Sequence, residues 1–108
     1  VYIKNREEKN TMRIMISQPM KNKSLERIRR ERQQLVDELQ KQGYYVLDTI
    51  FTEEAPKDCD ESIYYLAKSI EVIGKVDAVI FMSGWENARG CRIEHQVAVD
   101  YGKFIKEI

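Results

Sequence analysis

Asp77 to Met82 reads DAVIFM, apolar at every position after the aspartate. Unbroken apolarity over the length of a strand, in place of alternation, marks a strand buried on both faces, as in a parallel sheet covered by helices on either side. The neighbouring segments meet the same requirement. Arg13 to Ser17 (RIMIS) is a short apolar run halted by Gln18-Pro19, which reads as a strand ended by a turn. Tyr44 to Phe51 (YYVLDTIF) is β-branched and aromatic, hence a second strand, and Phe104 to Ile108 opens a fourth.

Helical periodicity fills the intervals. Leu25, Ile28, Leu35 and Leu39 recur at helical spacing, with Arg32 and Val36 between them. Ser24 is placed as the N-cap of this helix, Glu26 falls in its first turn, and Gly43 stops it. With Arg27 three residues after Ser24, no capping box closes. A second helix is expected over Glu61 to Gly74, with Ile63, Leu66, Ile70 and Ile73 on one face. A third is expected over Cys91 to Tyr101, with Ile93, Val97 and Tyr101 facing inward and Gly102 as its stop. Thr52 to Asp60 is acidic, carries Pro56 and reads as a loop. The order strand, helix, strand, helix, strand, helix, strand implies a three-layer α/β domain of the flavodoxin-like kind. Its four parallel strands are expected in the order 2-1-3-4.

The chain has 108 residues, one domain on size alone. Residues 1–11 are almost all polar without period and read as a leader or tag-like extension, leaving 12–108 as the folding unit. Lysines plus arginines equal aspartates plus glutamates at 18 each, so no basic field argues for nucleic acid or a membrane surface as partner. No apolar run approaches the roughly 20 residues that span a bilayer. Cys59 and Cys91 lie far apart and make no metal spacing with the lone His95, so no metal and no cofactor is implied. Two free thiols fit a reducing, cytoplasmic compartment.

In an open α/β sheet, ligands bind beyond the carboxyl ends of the strands, where strand order reverses. The first loop there, Gln18 to Ser24, opens a helix whose free N–H groups attract anions, with Lys21 and Lys23 adding charge. It reads equally as a capped helix with two solvated lysines. The third loop, Ser83 to Gly90 (SGWENARG), sets Trp85, Glu86, Asn87, Ala88 and Arg89 between two glycines that permit a tight turn and close approach of a ligand. Glu94 is then expected near the first turn of the third helix, where the helix dipole is worth roughly 0.3–1 kcal/mol to a carboxylate and keeps it ionised. An ionised carboxylate over a pocket is what a glycosyl-transfer nucleophile requires, while a carboxylate that merely steadies the helix start has the same signature. Trp85 reads either as a stacking surface for a base or as cover for the core. His95, about 100° round the helix from Glu94, points elsewhere.

The segments MISQPM (Met15 to Met20), KQGYYVLDT (Lys41 to Thr49), YYLAKSIE (Tyr64 to Glu71) and DAVIFMSGWENARGCRIEHQVAVDYG (Asp77 to Gly102) resemble the nucleoside 2-deoxyribosyltransferase-like superfamily. The likeness is closest to a small bacterial and phage branch carrying a GWENARGCRIEH motif. The resemblance covers Met12 to Ile108 and implies that Glu94 attacks the anomeric carbon of a nucleoside or nucleotide. It implies that Ser17, Gln18, Pro19 and Met20 contact the sugar or its phosphate and that Asp77 binds the sugar. Gly84, Trp85, Asn87, Arg89 and Gly90 then line the substrate pocket, with Glu86 at the place of an auxiliary acid. It also implies a homo-oligomer, since those enzymes complete the pocket from a neighbouring subunit. The expected activity is cleavage or transfer at an N-glycosidic bond. A different class stays open: Arg89 and Arg92 beside the glycine loop suit a module that holds a nucleotide or ADP-ribose-like ligand without turnover.

Overall fold

The computed structural model describes residues 12–108, so the polar stretch before Met12 lies outside the described residues. Four strands, β1 (Arg13–Ser17), β2 (Tyr45–Leu47), β3 (Ala78–Phe81) and β4 (Phe104–Glu107), form one sheet in the order β2-β1-β3-β4. Every pairing is parallel, with Ile14 beside Val46 and Ala78, and Val79 beside Ile105. Three helices alternate with them: α1 (Leu25–Lys41), α2 (Glu61–Ile73) and α3 (Arg89–Asp100). This is the flavodoxin-like three-layer arrangement that the strand and helix patterns imply.

Strand side chains point to opposite faces in turn, and the core divides accordingly. Ile14, Ile16, Ala78 and Ile80 join Leu35 and Leu39 of α1 on one face. Met15, Val79 and Phe81 join Ile73 of α2 and Ala98 of α3 on the other. β1 and β3, central in the sheet, are therefore apolar on both sides, which explains their unbroken hydrophobicity. The α1 boundaries follow local chemistry. The Ser24 hydroxyl accepts from the Arg27 amide at the start, and Gly43 at φ 89° takes the left-handed position past the end.

Three expectations need correction. β2 is three residues long where the sequence suggests eight, because Asp48 Oδ1 accepts the Ile50 amide at 2.9 Å and bends the chain out of the ladder. On α2 the buried positions are Ser69 and Ile73, while Ile63 is 63% exposed. On α3 the buried positions are Cys91, Glu94 and Ala98, while Ile93 and Tyr101 face solvent. Small and polar residues on the inner faces of α2 and α3 let both helices sit close to the sheet and to each other, an option that counting large apolar side chains overlooks.

The packing separates two substitutions of similar size. Leu39 is fully buried, so Leu39→Ala is expected to cost about 2–5 kcal/mol in urea unfolding. Ile63→Ala, on the exposed face of α2, is expected to stay within about 0.5 kcal/mol of the parent.

Candidate functional site

β1 leads to β2 on one side and, through the next crossover, to β3 on the other, so strand order reverses between β1 and β3. Ser17 closes β1 and stands in register with Phe81 at the end of β3. At this point the otherwise apolar interior turns polar. Ser17, Gln18, Arg32, Thr49, Ser69 and Glu94 are all buried, and they come from five different segments.

Glu94 is the acidic member, 8% exposed. The Ser17 hydroxyl donates to its Oε1 at 2.6 Å, joining the end of β1 to α3. Burial pushes the Glu94 carboxyl above its ordinary value, and the Ser17 and Ser69 hydroxyls and the Arg32 charge pull the other way without cancelling it. α3 starts at Arg89, two residues earlier than the sequence suggests, so Glu94 lies beyond the first turn. The helix dipole is therefore not what governs its charge; burial and these three side chains are. Cys91, one turn before Glu94, is buried too, and that burial pushes its thiol above the ordinary value.

Arg32 is the cationic member, 4% exposed. Its Nε donates to Gln18 Oε1 at 2.9 Å and its Nη1 to Thr49 Oγ1 at 3.1 Å, with Asp48 Oδ1 3.5 Å from Nη1. Thr49 in turn donates to the Ile16 carbonyl at 3.1 Å. The guanidinium thus lies across the carboxyl ends of β1 and β2. Gln18 Nε2 completes the frame by donating to the Ile28 carbonyl and to Glu31. Arg32, Thr49 and Ser69 did not emerge as site residues from the sequence. The available signal was Arg32 itself, a charge on the Ile28-Leu35-Leu39 face of α1.

The loops divide the remaining candidates. Pro19 and Met20 are half-buried above β1, and a Cβ on Gly84 would stand 3.6 Å from the Pro19 ring, so the first and third loops touch. Gly84, at φ 92°, is the glycine this turn requires. Gly90 is helical, with nothing within 4 Å of where a Cβ would stand, so it is not a turn residue. Asn87 and Glu86 belong to one 3-10 turn, Trp85–Asn87, and are exposed, as is Arg89 at the start of α3. Arg92 Nη1 donates to the Glu86 carbonyl at 3.2 Å, bracing that turn. Trp85 lies flat on the His95 ring, 4.1 Å between centroids, against Phe81, so one face of the indole serves the core edge. His95 Nε2 is 2.8 Å from Glu107 Oε2 on β4. Asp77 does not join the cluster. It precedes β3 and accepts the Arg13 amide at 2.8 Å at the amino end of the sheet, a strand length of roughly 13 Å from the Ser17 end.

In the first loop, Lys23 Nζ reaches Glu31 at 2.9 Å instead of standing free. The Lys23 hydrogen bond, with those from Arg27 and Gln18, holds the Glu31 carboxyl down to about 2. A depressed carboxyl contributes stability above its unfolded value, lost as pH falls. The loop amides of Gln18 and Lys23 are therefore expected to shift between pH 4.5 and about 2 in an NMR titration.

Glu94 works in the opposite sense. Its raised proton affinity makes its contribution to stability full at low pH and lost as pH climbs through the folded-state value above 4.5. Glu94→Gln, which never charges, is expected to melt a few degrees higher than the parent at neutral pH and to lose that advantage in acid.

No helix among the described residues is long and apolar enough to cross a membrane. No curated protein matches the sequence. A family match does run from residue 10 to residue 107, taking in every strand, every helix and the whole polar cluster, and by that extent the chain belongs to the family described as "Domain of unknown function (DUF4406)".

Proposed function

We propose that this protein is an N-glycosidic-bond enzyme acting on a nucleoside or nucleotide, with Glu94 as nucleophile. The observation that carries the reading is a buried carboxylate, fixed by Ser17 at 2.6 Å, at the strand-order reversal of a parallel sheet. The likeness of GWENARGCRIEH and SQPM to the nucleoside 2-deoxyribosyltransferase-like superfamily supports the same assignment. In this reading a Glu94 oxygen attacks the anomeric carbon as the bond to the base breaks. The base leaves with the bonding electrons and takes up a proton, and a glycosyl ester on Glu94 remains. Water resolving the ester makes the protein a hydrolase; an acceptor base makes it a transferase and regenerates an N-glycosidic bond. Ser17 fixes the carboxylate's orientation, and the buried positive charge of Arg32 opposes the loss of its ionised form. Gln18, Pro19, Met20 and the segment from Gly84 to Gly90, a turn running into the start of α3, form the rim that receives the sugar and base.

The reading has the protein acting in the cytoplasm, where its free thiols Cys59 and Cys91 persist, and as a homo-oligomer of at least two copies. Edge strand β4, with Phe104 57% exposed, is the part of the sheet a second copy would cover.

One observation favours a second reading. Burial favours the uncharged Glu94, which suits a hydrogen-bonding group in a module that holds a nucleotide or ADP-ribose-like ligand without turnover. A panel of nucleosides and nucleotides, with free base read by chromatography, separates the two. The enzyme reading expects base release that rises with pH through the raised Glu94 titration and falls at least a hundredfold in Glu94→Gln. Wild-type protein that binds but releases no base, or release undiminished in Glu94→Gln, overturns it.

A further inference from the structure

β4 closes the sheet on one side, and among the described residues it pairs with β3 alone. The Phe104 amide donates to the Asp77 carbonyl at 3.1 Å, and the Ile108 amide to the Phe81 carbonyl at 2.9 Å. Backbone groups alternate sides along a strand, so those of Ile105 and Glu107 point away from β3, along the outer edge. Such a row of amides and carbonyls is a template for another strand. The side chains beside it are apolar and open. Phe104 is 57% exposed, Ile108 45%, and Tyr101, in the turn before the strand, 77%.

The order of side chains names the occupant. Lys103 to Glu107 reads KFIKE. Two copies of this strand laid antiparallel can match their outward backbone groups only when the two-fold axis passes through a residue, never between two. With the axis through Ile105, Lys103 stands opposite Glu107 of the second copy, Phe104 opposite Lys106, and Ile105 opposite itself. Symmetry repeats the first two pairs. Opposite charges directly across a ladder stabilise it, and a lysine against an aromatic ring adds a cation–π contact. The neighbouring registers lose this match. An axis through Lys106 sets that lysine against its own copy, and an axis through Phe104 sets no opposite charges across from each other. Lys106, a charge of the kind that ordinarily keeps an edge from pairing at all, here penalises the slipped register.

The faces agree as well. Ile105 packs on the side of the sheet covered by α2 and α3, so alternation puts Lys103 and Glu107 on that side and Phe104 and Lys106 on the other. A two-fold axis perpendicular to the sheet brings like faces together, so each named pair meets on one side. Lys103 Nζ donates to the Val76 carbonyl at 2.9 Å, and an ammonium has further N–H donors. Glu107 meets His95 through Oε2 alone, and Oε1 remains to accept.

We propose that β4 pairs antiparallel with β4 of a second copy of this chain, about a two-fold axis at Ile105, so that the two sheets become one. The proposal rests on the reading of this protein as a homo-oligomer, to which it gives an interface and a register. It requires nothing of the glycosidic chemistry.

Light scattering at rising protein concentration reads the dimer, and amide hydrogen exchange reads the edge. The wild type is expected to dimerise in the micromolar range. The Ile105 and Glu107 amides are expected to gain protection as the dimer forms, while those of Phe104 and Ile108, already bonded to β3, stay as they are. Lys103→Glu and Glu107→Lys each set like charges across both ends of the ladder, and each is expected to raise the dimer Kd about tenfold. The double variant Lys103→Glu/Glu107→Lys restores opposite charges and is expected to return to within about threefold of the wild type. It restores neither the Val76 nor the His95 contact, so recovery reports the pairing between copies and not the fold of one. A dimer unmoved by the single variants, a double variant no tighter than the singles, or protection gained away from β4 would overturn this interface and leave the homo-oligomer reading standing. A wild type that stays monomeric throughout would overturn both.

Discussion

A carboxyl and a guanidinium buried in one polar layer set the terms for the rest of the molecule. Glu94 and Arg32 are both removed from water, on opposite sides of the β1 terminus, and neither makes a close ion pair with the other. Their burial is tolerable only because neutral side chains serve them. Ser17 and Ser69 attend the carboxylate, and Gln18 and Thr49 attend the guanidinium. The two groups and their partners together come from β1, α1, α2, α3 and the chain after β2, so these elements must all be in place before the layer is satisfied. The apolar core supplies cohesion, and the polar layer adds a condition that few alternative packings of these elements meet.

The same layer explains why the molecule is polar at one end. A central parallel strand has no solvent face, so polar side chains can be accommodated only where the ladder stops. Ser17 and Gln18 occupy that place on β1, and Asp48 and Thr49 end β2. At the amino end the sheet is closed differently. There Asp77 takes the Arg13 amide, and its own amide donates to the Arg13 carbonyl at 2.8 Å, an arrangement that ties the starts of β1 and β3 together. A polar residue in this fold therefore acquires its role from the end of the sheet it falls on.

That asymmetry also marks how far the sequence could be read. Strand order and the α1 caps were legible because they rest on local chemistry: the apolar run DAVIFM, Ser24 before the helix, Gly43 after it. Glu94 stands out in the sequence as a carboxylate near a helix start, but its burial and the reason for its charge state do not. Counting from Gly90 put it in a first turn, whereas Ala88 is the residue that precedes the helix. The inward faces of α2 and α3 were misread because Ser69, Cys91, Glu94 and Ala98 are small or polar, and periodicity weighs Ile63 and Ile93 above them. The partners of Arg32 lie 14 and 17 residues away in sequence, at the ends of two different strands, and no local pattern pairs them.

The two arginine-bearing parts of α1 bear on what kind of chemistry the layer can support. Arg32 spends two of its nitrogens on framework bonds, whereas Arg29, three positions earlier on α1, is exposed. On its other side Arg32 acts on Glu94 through its field alone, since the Ser17 hydroxyl holds the bonding position on Oε1. A charge acting at a distance leaves the carboxylate unbridged while still favouring its ionised form, and that combination is what a nucleophilic carboxylate in a buried site needs. Moving the guanidinium into a direct pair with Glu94 would stabilise the charge further and occupy the oxygen that the proposed mechanism needs free. The framework bonds to Gln18 and Thr49 are thus as much a means of keeping Arg32 away from Glu94 as of holding it inside the protein.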